Sequence, residues 1–149
     1  MERSPIDAIL TDFGASIGIP DLSFDENGFC CLFFDDVAVN LELDRAAGRL
    51  VAYANVGALP EKPDVEFQQM LLEANYFYRH TDGGTLGTDR ESRLVVLAYQ
   101  TPLVSLDLQR FNRLIENFVN MAERWATRIR EFTPSAPASP AGETPGMRV

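Results

Sequence analysis

Apolar residues recur every three or four positions at Ile6, Ile9, Leu10, Phe13 and Ile17, the period of a helix buried along one side. Ser4 stands where an N-cap would and Pro5 suits a first turn. Gly18 and Pro20 then close the segment, so the pattern predicts a first helix over about residues 5–17. Asp25-Glu26-Asn27-Gly28 is turn chemistry, and it opens a run, Phe29 to Phe34, that is apolar at every position. The next segment is patterned differently. Val37, Val39, Leu41 and Leu43 alternate with Ala38, Asn40, Glu42 and Asp44, the period of a strand wet on one side. A turn through Gly48 leads to a third strand over about residues 49–56, giving an antiparallel meander.

Leu59 to Pro63 breaks this alternation, and Pro63 suits the first turn of a second helix reaching about Arg79. Its apolar positions form more than one stripe: Phe67, Met70, Leu71, Ala74 and Tyr78 make one, and Val65, Leu72 and Tyr76 widen it. A helix apolar over so much of its circumference is usually buried on two sides, and in a small domain the second side can be another subunit. Thr81-Asp82-Gly83-Gly84 turns the chain into a short fourth strand at Thr85-Leu86-Gly87, and Leu94 to Tyr99 reads as a buried fifth, stopped by Pro102. Ser105 can cap a long third helix whose face reads Phe111, Leu114, Ile115, Phe118, Ala122, Trp125, Ile129 and Phe132. The predicted fold is α+β, with three helices and a five-stranded, mainly antiparallel sheet in the order α-β-β-β-α-β-β-α. Residues 1–132 form the domain, and the Pro- and Ala-rich 133–149 form a disordered tail.

Charge narrows the partners. The 149 residues carry 22 acidic against 13 basic side chains, a formal charge of −9, and the tail contributes nothing to it. Such a surface repels nucleic acid and anionic lipid, and no window approaches the roughly 20 apolar residues of a membrane span. A cytoplasmic protein without nucleic-acid or membrane partners is expected. The only cysteines, Cys30 and Cys31, are adjacent, which makes a disulfide between them geometrically poor and suits a reducing compartment.

Several short motifs, in order, resemble the class I type III secretion chaperones of the Tir-chaperone (CesT-like) family. They are Asp25 to Gly28 followed by Cys30, Leu59-Pro60, Leu71 to Asn75, Gly84 to Gly87, Val95 to Leu97, and Phe118 to Trp125. The resemblance covers about residues 4–132. It implies a homodimer whose subunits meet through the second helix and fourth strand, at Val65, Leu72, Tyr76, Thr85 and Leu86. It also implies binding of the N-terminal region of a virulence effector, with no nucleotide or other cofactor and no catalysis.

Catalytic and metal chemistry finds little support in the residues. His80, the only histidine, could pair with Asp82, but nothing marks an elbow or oxyanion loop, and an exposed turn histidine is the simpler reading. Cys30-Cys31 lacks the further ligands of a metal site. Asp21-Leu22-Ser23-Phe24-Asp25-Glu26 has Glu where a calcium loop needs glycine, and no Lys follows Gly83 to Gly87 as a phosphate loop would require. A small-ligand-binding α+β domain stands as the alternative to a chaperone, and a hydrolase built on His80 is the weakest.

The first strand offers the sharpest expectation, since six apolar residues exceed what one core face can use. Alternation divides them into Cys30, Leu32 and Phe34 on one face and Phe29, Cys31 and Phe33 on the other, and by itself leaves either face as the outer one. The set holding Phe29 and Phe33 is assigned to effector binding, together with Ile6 and Phe13 from helix 1, by strand addition with apolar pockets for alternate side chains.

Overall fold

The computed structural model describes residues 4–133. They form α1 (Pro5–Ser16), β1 (Phe29–Phe34), β2 (Val37–Asp44), β3 (Arg49–Ala58), α2 (Val65–Asn75), β4 (Thr85–Thr88), β5 (Leu94–Pro102) and α3 (Leu108–Arg130). Single 3₁₀ turns follow α2 at Tyr76–Tyr78 and β5 at Leu103–Ser105. The order of elements is the predicted one. All four strand pairings are antiparallel, and the sheet runs β1-β2-β3-β5-β4. β1, β2 and β3 make the expected meander. The chain then crosses through α2 to the far edge, so that β4 lies outermost and β5 returns between β3 and β4.

The turn into β1 is fixed by one side chain. The Asp25 carboxylate accepts the N–H groups of Asn27 at 2.8 Å and Phe29 at 2.9 Å, and Gly28 follows with φ 79°. A Cβ there would stand 2.6 Å from the Leu43 carbonyl oxygen, so the turn admits glycine alone.

One face of the sheet is apolar throughout. Register aligns Cys30 with Leu41 and Ala52, Leu32 with Val39, and Ala54 with Leu97, all buried. α3 covers this face with Phe111, Ile115, Phe118, Ala122, Trp125 and Ile129. Its approach to β3 is close, since a Cβ on Gly57 would lie 2.5 Å from Ile129 Cγ2. α1 packs beside α3, with the Phe13 ring edge-on to Phe111 at 5.1 Å, and Phe67 of α2 meets Phe132 in the same geometry.

Three boundaries differ from the sequence reading. α2 stops at Asn75 rather than Arg79, because Phe77 and Tyr78 take left-handed φ of 50° and 54° and the Asn75 side chain turns to β4. Tyr78 is therefore not part of a helical stripe. The cap of α2 is Asp64, accepting Phe67 N–H at 3.0 Å, so Pro63 lies before the helix rather than in its first turn. The cap of α3 is Asp107, which accepts Arg110 N–H at 2.7 Å, whereas Ser105 ends the preceding 3₁₀ turn. In both cases a carboxylate takes an N–H that the first helical turn leaves unsatisfied. The expected tail, 133–149, lies outside the described residues apart from Thr133.

Candidate functional site

Helices cover one face of the sheet and leave the other open. On the open face β1 presents Phe29, Cys31 and Phe33, β2 presents Ala38, Asn40 and Glu42, and β3 presents Val51 and Tyr53. Phe33 is 77% exposed, and Phe29 and Cys31 are half-buried, whereas Cys30 and Leu32 point into the core. The two cysteines are thus in opposite environments, and burial pushes the Cys30 thiol up, with Cys31 and Asp25 nearby adding to the effect. Burial and then Glu42 lift the Tyr53 phenol.

β1 is also an edge. Gly28 accepts Leu43 N–H at 2.7 Å on the β2 side, while Phe29 faces outward, its N–H and carbonyl both bonded to Asp25. Because successive residues of an antiparallel strand alternate in direction, the main-chain groups of Cys31 and Phe33 also point outward, where no strand lies. The outward main-chain groups of Cys31 and Phe33 therefore lie beside the outer-face side chains of Phe29, Cys31 and Phe33. Beyond the end of β1, Phe34 and Phe13 floor a groove of 380 Å³ with Ile17 at its rim, between the end of α1 and α3.

Ile6 and Phe13, grouped with β1 from the sequence, are only 4% and 5% exposed. They face α3 because the stripe that forms α1 is spent on the core. What α1 offers at the surface is its C-terminal end, Ile17 at 42% exposed, with Ile19 beyond it at 40%. Polar spacing gave no hint of this, since Ile17 reads as the last member of the buried stripe.

A second apolar surface lies on α2. Phe67, Leu71 and Ala74 are buried, while Val65, Leu72 and Tyr76 are 78%, 65% and 59% exposed. Thr85 is exposed on the adjoining edge strand, but Leu86 turns inward and is buried. Leu86 is held there from outside the sheet: Asn75 Nδ2 donates to its carbonyl at 2.8 Å, and its N–H donates to Asn75 Oδ1 at 2.8 Å. The carboxamide imitates a peptide group and closes the β4 edge at that residue.

A family model for the Tir chaperone protein (CesT) family matches residues 8–126. The chain belongs to this family. The transcriptional anti-antiactivator ExsC of Pseudomonas aeruginosa is 32% identical over 125 residues, covering 82% of this chain and 83% of ExsC. The fold matches the chaperone chain in a structure of the ExsC–ExsE complex with a TM-score of 0.74 and 29% identity, over 89% of this chain and 96% of that one. A structure of the HopA1–SchA chaperone–effector complex matches with a TM-score of 0.67 and 26% identity, over 85% of this chain and 94% of that one.

His80 is exposed, and its carbonyl accepts Trp125 Nε1–H at 2.8 Å. No group of three potential metal-ligating side chains occurs among the described residues, and no described helix is long and apolar enough to cross a membrane. A cavity of 170 Å³ lies between the α2–β4 turn and α3, floored by Leu97, Tyr99, Leu114 and Phe118.

Proposed function

We propose that this chain is a type III secretion chaperone that binds the N-terminal region of an effector and keeps it soluble and secretion-competent, without ATP. The observation that carries this reading is β1, an edge strand whose outer face and outer main-chain groups are both unused by the fold. An extended effector segment that adds to this edge gains main-chain hydrogen bonds from Cys31 and Phe33. Its alternate side chains then fall either on Phe29 and Phe33 or in the groove beside Phe34. No folded partner is needed for such binding. The proposed protein works in the cytoplasm as a homodimer, with Val65 and Leu72 of α2 and Tyr76 just after it burying against a second copy and Thr85 beside them. Leu86 supports that surface from beneath. Purification of the tagged chain from its own bacterium tests the reading. A secreted protein should copurify and be lost when its N-terminal region is deleted; recovery of the chain alone contradicts it.

A second role is favoured by the 32% identity to a protein named as a transcriptional anti-antiactivator. In this reading the same binding surface serves a regulator of transcription as well as an effector, so that effector occupancy and transcription compete for one site. Added effector segment should then displace the regulator. Simultaneous binding of both at full stoichiometry argues against a shared site.

A further inference from the structure

The chain is strongly acidic, yet three of its arginines meet in one place. Arg79, Arg124 and Arg128 line a 560 Å³ cleft between the turn after α2 and the C-terminal half of α3, with Asp82 as the only carboxylate in its lining. The two ion pairs found among the described residues, Arg45–Asp7 and Arg49–Asp44, are elsewhere. Arg124 and Arg128 are one helical turn apart, a like-charge spacing that destabilises a helix when nothing neutralises it. Aromatic rings hold two of the three guanidinium groups: Arg128 lies over Trp125 at 5.0 Å and Arg79 over Tyr76 at 5.4 Å.

The facing wall is built at a cost. Phe77, Tyr78 and Asp82 all have φ between 50° and 54°, a region that non-glycine residues rarely occupy. It is pinned by Trp125 Nε1–H donating to the His80 carbonyl, by His80 N–H donating to the Ala74 carbonyl at 3.1 Å, and by Thr81 Oγ1 donating to the Gly84 carbonyl at 2.7 Å. The cleft shares Asp82, Asn117 and Met121 with the 170 Å³ cavity, whose floor is Leu97, Tyr99, Leu114 and Phe118. A hole with an apolar floor and a polar mouth at Asp82 and Asn117 thus opens directly beside the arginines.

We propose that this cleft is a second docking site, at the opposite edge of the sheet from β1, for a partner segment in which a large apolar side chain is flanked by Asp or Glu. The apolar side chain enters the hole, and the flanking carboxylates meet the guanidinium forks, which donate to such groups bidentately. The occupant is another protein. Residues 1–3 and 134–149 hold one acidic residue each, Glu2 and Glu143, and supply no acidic cluster. The copy-to-copy surface is assigned to the adjoining apolar face of α2, which reaches the cleft only at Tyr76, the ring beneath Arg79.

Trp125 is the only tryptophan and lines the cleft, so its fluorescence reports binding directly. The full chain is titrated with a pool of short peptides carrying a central Leu or Phe flanked by Asp and Glu, and with a matched pool carrying Asn and Gln. The acidic pool should shift the emission, the amide pool should not, and Arg124→Glu with Arg128→Glu should weaken the acidic pool at least about tenfold. The double Lys variant should recover part of the affinity and the Phe33→Ser variant all of it. No shift up to about 1 mM acidic peptide overturns the proposal. So does displacement by a few millimolar inorganic phosphate, which would mean a site for small anions, or a change of oligomeric mass in the double Glu variant, which would mean a contact between copies.

Discussion

β1 and β2 are neighbours in one sheet, paired over six residues from Phe29↔Glu42 to Phe34↔Val37, and they are patterned in opposite ways. β2 follows the rule for a sheet covered on one side: Val37, Val39, Leu41 and Leu43 are buried, and the residues between them are small, polar or charged. β1 buries Cys30 and Leu32 on the same face but keeps Phe29, Cys31 and Phe33 on the other, where folding asks for nothing apolar. Both strands give the core what it requires. Only β1 carries more, and the surplus sits on an edge whose main-chain groups are free to pair. A folding requirement explains β2 entirely, whereas folding leaves the outer face of β1 without a use, which is the ground for the proposed effector site.

Substitutions that strike one face at a time sharpen this contrast. Leu32→Asp and Leu41→Asp each place an unpaired charge in the core and should cost about 3–5 kcal/mol, enough to unfold much of the protein in a urea titration. Equal losses at the two positions are expected because the inner faces are equivalent. Leu72→Glu carries the comparison to α2, whose outer stripe is the other surplus. The variant should stay folded by circular dichroism while sedimentation equilibrium shows a 16.6 kDa monomer in place of a dimer; an unchanged dimer would place the subunit contact elsewhere. Phe33→Ser and Glu42→Ser, on the two outer faces, should each change stability by only about 0.5 kcal/mol, the usual scale for exposed sites. A large loss at Phe33 would mean that β1 is not surplus after all.

The smallest effect concerns the ion pair that ties α1 to the turn after β2. Arg45 Nη2 lies 2.9 Å from Asp7 Oδ1, and its hydrogen bond holds the Asp7 carboxyl below the usual carboxylate value of 3.8; partial burial opposes this, and the Ser4 hydroxyl, donating at 2.6 Å, assists it. A lowered folded-state pKa adds stability above the unfolded value, and that stability fades as pH falls through the folded one. Arg45→Ala should therefore cost no more than about 1 kcal/mol at pH 7, with the difference from the parent chain shrinking below about pH 4. A gap that stays constant down to pH 2 would leave the pair without a role.

Legibility in the sequence followed the strength of each periodic pattern. α3 was plain because Phe111, Ile115, Phe118, Ala122, Trp125 and Ile129 repeat over about five turns, and β2 was plain because its alternation has no exception. The double stripe of α2 was legible too, but its end was not: Tyr76 to Tyr78 continue the apolar run, and the helix stops because Asn75 is drawn to Leu86, a long-range bond that no local pattern announces. Alternation divided β1 correctly into two sets, while the choice of the outer set needed to know which side the helices take. Ile6 and Phe13 were misplaced for a related reason. A stripe that lies against α3 and one that faces a ligand have the same spacing. The arginine cleft was invisible, since Arg79 comes from the turn after α2 and Arg124 and Arg128 from the C-terminal half of α3, and their meeting depends on the His80–Trp125 contact.

The central claim is that the outer face of β1 is surplus to folding and serves the effector. Calorimetric titration of the Phe29→Ser, Phe33→Ser double variant with the copurified effector's N-terminal segment tests it most directly. Two aromatic anchors at the centre of an interface commonly carry a few kcal/mol together, so binding should weaken by about 100-fold or more. The variant should keep the parent's circular dichroism and dimeric mass. Binding at undiminished affinity by a folded double variant would contradict the account.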